Sequence, residues 1–239
     1  MKNELPILLS KLNIQVNDKI YLKDPGSSEL GQRIVSGSIE LIDDIGFENF
    51  TFRKLGQSIK SPEASIYRYF ESKHKILLYL TSWYWSWMEY KLAFAMANVP
   101  SAKERLMRSL SLLTSWPAID GSISHINESK LHSIVIKESS KSYLTKDVDT
   151  ENKDGVFMGY KQLVARVAEV IKEINPDFKY PHMLISTVIE GAHHQRYFAE
   201  HLPKLTDILK GEDSITEFYK DLVFKSIAKN GSTSTQLSK

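Results

Sequence analysis

The sequence predicts an all-α protein, with a small N-terminal three-helix head containing a helix-turn-helix and a C-terminal helical bundle behind it. Three observations predict it. Apolar residues recur at helical spacing through most of the chain, and β-type alternation is nearly absent. The breaks between periodic segments are Pro, Gly, Asn and Asp clusters. Near the N-terminus two short periodic segments flank a three-residue turn, which is the size of a helix-turn-helix.

An irregular arm occupies residues 1–28, with a short extended piece expected at 20–22. Ile34, Ser38, Leu41 and Ile45 then recur at helical spacing and Gly46 supplies a stop, giving a first helix. Thr51 caps a short helix through Ser58, and Ser61 with Pro62 opens another through Phe70. Ser72 caps a long helix that carries an aromatic run and ends at Pro100-Ser101. Further amphipathic segments lie at Ala102–Thr114, 127–143, 153–174, Pro181–His201 and 214–229. The division expected from these is an arm at 1–28, a head at 29–72, a bundle at 73–229 and a disordered tail at 230–239.

Composition narrows the chemistry. With 239 residues, 42% of them hydrophobic and 25% charged, the chain can bury a core and reads as an ordinary globular protein. It has no cysteine, which removes disulfides, thiolate metal sites and thiol catalysis and suits a reducing cytoplasm. The start of the chain, interrupted by Glu4 and Pro6, lacks the pattern of a secretory signal, and no apolar run is long enough to span a membrane. No Gly-x-Ser-x-Gly elbow or Gly-rich phosphate loop is present, so no enzymatic activity is expected.

The net charge of +2 hides a polarised head. Residues 51–75 hold six basic residues (Arg53, Lys54, Lys60, Arg68, Lys73, Lys75) against Glu63 and Glu71, a balance of +4. Residues 29–50 hold Arg33 against Glu29, Glu40, Asp43, Asp44 and Glu48, a balance of −4. Positive charge therefore gathers where phosphates would lie. Leu55, Ile59, Ile66 and Phe70 are spaced to bury one face against Ile34 and Leu41, which leaves Ala64, Ser65, Arg68 and Tyr69 on the other. Ala64 and Ser65 are small enough for close approach to a major groove, and Ser65, Glu63 and Arg68 offer hydrogen bonds. Lys73 and Lys75 oppose the dipole of the long helix, an arrangement that an anion such as a phosphate would relieve.

Residues 34–80, with the Gly46-Phe47 helix end, the Thr51 cap, Leu55, and then Ser65-Ile66-Tyr67-x-Tyr69-Phe70-x-x-Lys73-x-x-Leu77, resemble the DNA-binding head of the TetR family of bacterial transcriptional regulators. The resemblance implies that Thr51, Phe52 and Arg53 start the helix that crosses the DNA backbone. It implies that Glu63, Ala64, Ser65 and Arg68 face base edges, and that Tyr67, Tyr69 and Lys73 brace the fold or meet phosphate. Two departures stand out: Lys60 occupies a turn position usually held by Gly, and Pro62 replaces a small polar residue. Lys60 is expected in a left-handed conformation, or the turn is rebuilt, with Ser61 capping one residue early.

The family further implies a homodimer paired through its last helices, a near-palindromic DNA operator as partner, repression as the common mode, and a small-molecule effector bound in the bundle. Trp83, Trp87 and Tyr90, at i, i+4 and i+7, are candidates to line that pocket, with the alternative that the helix is simply buried all round. Glu190 and His194, with His201 a heptad beyond, have the spacing of metal ligands on a bundle helix. No second Glu-x-x-His helix accompanies them, so His194 is taken as an interface or pocket residue, and no metal or cofactor is expected. The other reading is a helical small-molecule-binding or protein-interaction protein whose head no longer reads DNA.

Overall fold

The computed structural model describes residues 14–116 and 125–228; the expected tail at 230–239 lies outside the described residues. These contain eleven α-helices, three short 3-10 turns and no strand. The helices are α1 (Glu29–Asn49), α2 (Phe52–Ser58), α3 (Glu63–Ile66), α4 (Lys73–Met96), α5 (Ala102–Thr114), α6 (Glu128–Glu138), α7 (Ser140–Tyr143), α8 (Val148–Lys153), α9 (Met158–Ile174), α10 (Pro181–His201) and α11 (Ser214–Ile227). The all-α expectation holds. Two compact units emerge, the first running up to Leu92 and taking in Trp116–Leu163, the second formed by Ala93–Ser115 with the chain from Val164 onward. No described helix is long and apolar enough to cross a membrane.

In the first unit, α1 starts at a Ser28 cap and breaks at Gly46, whose φ of 75° and ψ of 155° suit glycine. Its buried face is Ile34, Val35, Ser38, Ile39 and Ile42. Leu41 and Ile45, expected to line the core, are only half-buried. The periodicity was compatible with either neighbouring register, and Ile39 and Ile42 fill the core instead. Gly37 lets Ile59 close in, since a Cβ there would lie 2.4 Å from the Ile59 side chain.

Helix α4 is buried on every side over Ile76, Leu77, Leu78, Tyr79, Leu80, Trp83, Tyr84, Trp85, Trp87 and Met88. This is what an apolar surface around the whole helix requires. The Tyr84 hydroxyl sits 2.7 Å from His132 Nδ1 on α6, and its complete burial pushes the phenol pKa up. Trp85 stacks on Tyr160 with centroids 4.2 Å apart. Helix α6 also lies along α1. Glu138 Oε1 accepts the Phe47 N–H at 3.1 Å, just past the Gly46 break. Lys141 reaches Glu48 at 2.8 Å and Glu138 at 2.7 Å, while Lys130 pairs with Glu40 and stands 4.0 Å from Asp43. The acidic segment thus finds protein cations on the side away from the helix-turn-helix. The Lys141 hydrogen bond holds the Glu48 carboxyl below its ordinary pKa.

In the second unit a guanidinium joins three helices. Arg196 on α10 donates to the Thr114 carbonyl at the end of α5 (Nε 3.0 Å, Nη2 2.6 Å) and to both oxygens of Asp213 (2.7 and 2.6 Å). Asp213 in turn caps α11 by accepting the Thr216 N–H at 3.2 Å. Desolvation pushes the Asp213 pKa up, but hydrogen bonds from Arg196 and Thr216 outweigh it and hold it low. A depressed carboxyl pKa stabilises the fold above the unfolded value of about 3.9 and loses that contribution as pH falls through the folded value. Arg196→Ala is expected to cost about 2 kcal/mol by urea denaturation, because charged hydrogen bonds are lost and a carbonyl is orphaned. The variant should also lose the part of the wild-type acid sensitivity that lies below pH ~4.

Candidate nucleic-acid interface

The helix-turn-helix is set by local geometry. Thr51 is extended (φ −141°, ψ 155°) and its hydroxyl accepts the Lys54 N–H at 3.2 Å, the expected cap of α2. Phe52 is buried behind that cap and meets the Tyr67 ring edge-on at 4.7 Å. The turn needs glycine at Gly56, where a Cβ would stand 2.7 Å from the Ser61 carbonyl. Lys60 takes φ 52°, so the left-handed alternative is realised and the turn keeps its shape. Arg33 from α1 donates to the Ile59 carbonyl at the end of α2. Pro62, not Ser61, occupies the cap position of α3, and no side chain caps that helix. Lys60→Gly is expected to raise stability by about 0.5–1 kcal/mol in urea unfolding, since it removes the strain of a side chain at positive φ.

Helix α3 is shorter than expected, ending at Ile66, with Tyr67 to Tyr69 forming a turn. Glu63, Ala64, Tyr67 and Arg68 are exposed and Ser65 is half-buried. These five stand together with exposed Thr51 and Arg53. Tyr69 does not share that surface as expected: it is 3% exposed. The chain continues past Ile66 as a hydrogen-bonded turn, Tyr69 and Phe70 N–H both donating to the Ile66 carbonyl, and the arm covers the ring, Leu22 N–H donating to the Tyr69 carbonyl at 2.8 Å. The Tyr69 hydroxyl meets Ser28 Oγ at 2.8 Å. Phe52 and Tyr69 therefore support the surface from beneath.

The cations divide by what holds them. Lys73 Nζ donates to the Phe47 and Glu48 carbonyls, both at 3.1 Å, and lies over the Phe47 ring, so it braces the end of α1. Lys54 Nζ donates to the Asn49 carbonyl at 2.9 Å. Lys75 and His74 both face Glu151 of α8, at 3.5 and 3.0 Å. The anion at the start of α4 is thus a buried carboxylate of the chain itself, correcting the expectation of a phosphate there. Arg53, Lys60 and Arg68 have no carboxylate or carbonyl partner among the described residues. They frame the exposed 63–68 segment, so this face offers small residues, hydrogen-bonding groups and uncompensated positive charge together, as DNA recognition requires.

Residues 34–80 match the family model for bacterial regulatory proteins of the tetR family. The helix-turn-helix head is of the tetR type. The TetR-type fold extends beyond the matched segment. The fatty acid degradation regulator FadR from Bacillus halodurans superposes with a TM-score of 0.57 at 16% identity, over 83% of this chain and 94% of that one. A putative tetR family transcription regulator from Shewanella sp. PV-4 gives 0.56 at 13%, over 82% and 96%. AibR, solved with isovaleryl coenzyme A and operator DNA, gives 0.51 at 14%, over 80% and 95%. At these identities the likeness is one of fold. No curated protein matches the chain.

Behind the TetR-type head, Trp83 and Trp87 are buried in the first unit and stack with centroids 6.0 Å apart, and Tyr90 is half-buried. His194 belongs to the second unit, exposed on α10, with Nδ1 2.8 Å from its own Glu190 carbonyl. His201 stands against Tyr197, ring centroids 4.5 Å apart. Among the described residues no three His, Cys, Asp or Glu side chains gather as a metal site. No local pattern points to Glu138, Lys141 and Glu151, whose partners lie far away along the chain.

Proposed function

We propose that this protein is a homodimeric, ligand-responsive transcriptional repressor, not an enzyme, that works in the cytoplasm and binds a near-palindromic DNA operator. The observation that carries the reading is the set of uncompensated cations, Arg53, Lys60 and Arg68, around the exposed 63–68 segment of the TetR-type head. Arg68, Glu63, Ser65 and Ala64 are the base-facing residues. Arg68 suits guanine, Glu63 suits the cytosine amine, and Ala64 leaves room for a thymine methyl. Thr51, Arg53 and Tyr67 meet the backbone, while Phe52, Tyr69 and Lys73 hold that surface in place. The DNA-reading part is 29–72, and 73–229 senses ligand and dimerises.

Dimerisation is supported by an apolar seam on the second unit. Met183 (66% exposed) and Tyr197 on α10, with Phe218 (59%) and Leu222 on α11, face outward. An open groove of about 430 Å³ runs beside Phe218, Asp221, Leu222 and Lys225. Large exposed apolar stripes are usually covered, and a two-fold axis covers the same stripe on both copies. His194 belongs to this seam. Two heads would then enter major grooves about 34 Å apart. The effector is a small molecule for which Trp83, Trp87 and Tyr90 offer aromatic contact, and it acts by binding more tightly to the state whose heads no longer fit the operator. The operator is sought by selection from a random duplex library with purified protein. Enrichment of inverted repeats whose centres lie about one helical turn apart supports the reading. Recovery of sequences without a shared motif contradicts it.

A further inference from the structure

The arm before α1 is tied down at four points on the first unit. Asn17 Nδ2 donates to the Asp154 carbonyl at 2.7 Å, beyond the end of α8. Ile20 is 1% exposed, and the Tyr21 ring meets Tyr79 of α4 edge-on at 6.1 Å. Leu22 donates to the Tyr69 carbonyl, and Ser28 holds the Tyr69 hydroxyl. Pro25 locks the arm to α1, because Gly31 has room for no Cβ: one would lie 2.3 Å from the Pro25 carbonyl oxygen. This path fixes Lys23. Its Nζ stands 5.1 Å from the centroid of the Tyr69 ring, and the residue is exposed.

Among the described residues Lys23 has no carboxylate partner, and the adjacent Asp24 carboxylate accepts its own Gly26 N–H at 2.8 Å. The arm thus brings Lys23 to the ring of Tyr69, the residue that follows exposed Arg68 in the chain. The Tyr69 pKa lies below its ordinary value, through the Ser28 hydrogen bond first and then through Lys23 and Arg68. The arm also covers Tyr69, one of the positions at which the resemblance allows a phosphate contact, and sets a cation above it.

We infer that the arm is part of the DNA-contacting surface, with Lys23 placed to contact a backbone phosphate beside Arg68. The inference rests on the proposed DNA-binding function. A phosphate contact adds affinity without sequence preference and adds about 0.9 to the magnitude of the salt slope. The test uses full-length protein, a duplex selected from the random library and an unselected duplex of the same length, titrated across a salt series. Lys23→Ala is expected to weaken binding to both duplexes by the same factor, several-fold at low salt, and to flatten the slope by about 0.9 for each contact removed. Lys23→Arg retains both, and Lys210→Ala, which removes a cation of the second unit, changes neither. Lys23→Gln repeats the loss with a side chain of similar reach. Wild-type affinity and slope in both neutral variants overturn the inference while leaving DNA binding intact. Absence of salt-dependent binding by the wild type overturns the underlying function as well.

Discussion

If the proposed homodimer forms through α10 and α11, Phe218→Asp combined with Leu222→Asp is expected to convert it to a monomer and to lower its affinity for a selected inverted-repeat duplex by about 10²–10⁴. Both side chains stand on the outward face of α11, beside the groove that also involves Asp221 and Lys225. Two carboxylates on a face that must be desolvated against its own copy meet their symmetry mates, so repulsion adds to the lost apolar contact. The monomer keeps its fold, because Ile215, Tyr219, Val223 and Ile227 form the inner face of α11 and are untouched. Light scattering reads the mass, circular dichroism the helicity, and fluorescence anisotropy the DNA affinity. A double variant that remains dimeric places the interface elsewhere.

Replacing Arg53, Lys60 and Arg68 together by Ala removes most DNA affinity at physiological salt, about 10³-fold or more. A dimer would lose six cations, four of them (Arg53 and Lys60) beside the backbone and two (Arg68) at base edges, and the lost backbone charge together with a lost base contact in each half-site accounts for a change of that size. The single variants separate the roles. Arg68→Ala relaxes base preference at one position of each half-site, costing about 1–3 kcal/mol for the preferred base, whereas Arg53→Ala weakens all sequences alike. None of the three is buried, so thermal stability stays within about 0.5 kcal/mol, at Lys60 too, since Ala keeps the Cβ and with it the strain of the positive φ. A triple variant that binds as the wild type does dissociates these cations from DNA.

Much of the head was legible because its signals are local. The Thr51 hydroxyl does cap α2, Gly46 does break α1, and Lys60 does take the left-handed conformation expected where glycine is usual. What was not legible depends on partners distant in sequence. Tyr69 looked free on the spacing of Ile66 and Phe70, but the arm residues Leu22 and Ser28 bury it. The six cations of residues 51–75 looked equivalent by count. Glu151, some 76 residues from Lys75, takes one of them, and carbonyls at the ends of α1 take Lys54 and Lys73. The aromatic run of α4 was readable as a buried helix, which it is, while periodicity gave no means of choosing Ile39 and Ile42 over Leu41 and Ile45 for the core. The arm itself carries few turn or helix signals, and its course is set by Ile20, Pro25 and the close approach at Gly31.

On the proposed function, the TetR-type head presents an electrostatically uncompensated surface to the DNA backbone. This is tested most directly by measuring wild-type affinity for a selected inverted-repeat duplex from about 50 to 200 mM salt. The expected result is a linear fall of log K with log salt, with a slope steeper than about −3, from Arg53 and Lys60 at the backbone on each of two heads. A slope near zero, or affinity no greater than for an unselected duplex at every salt concentration, contradicts the claim.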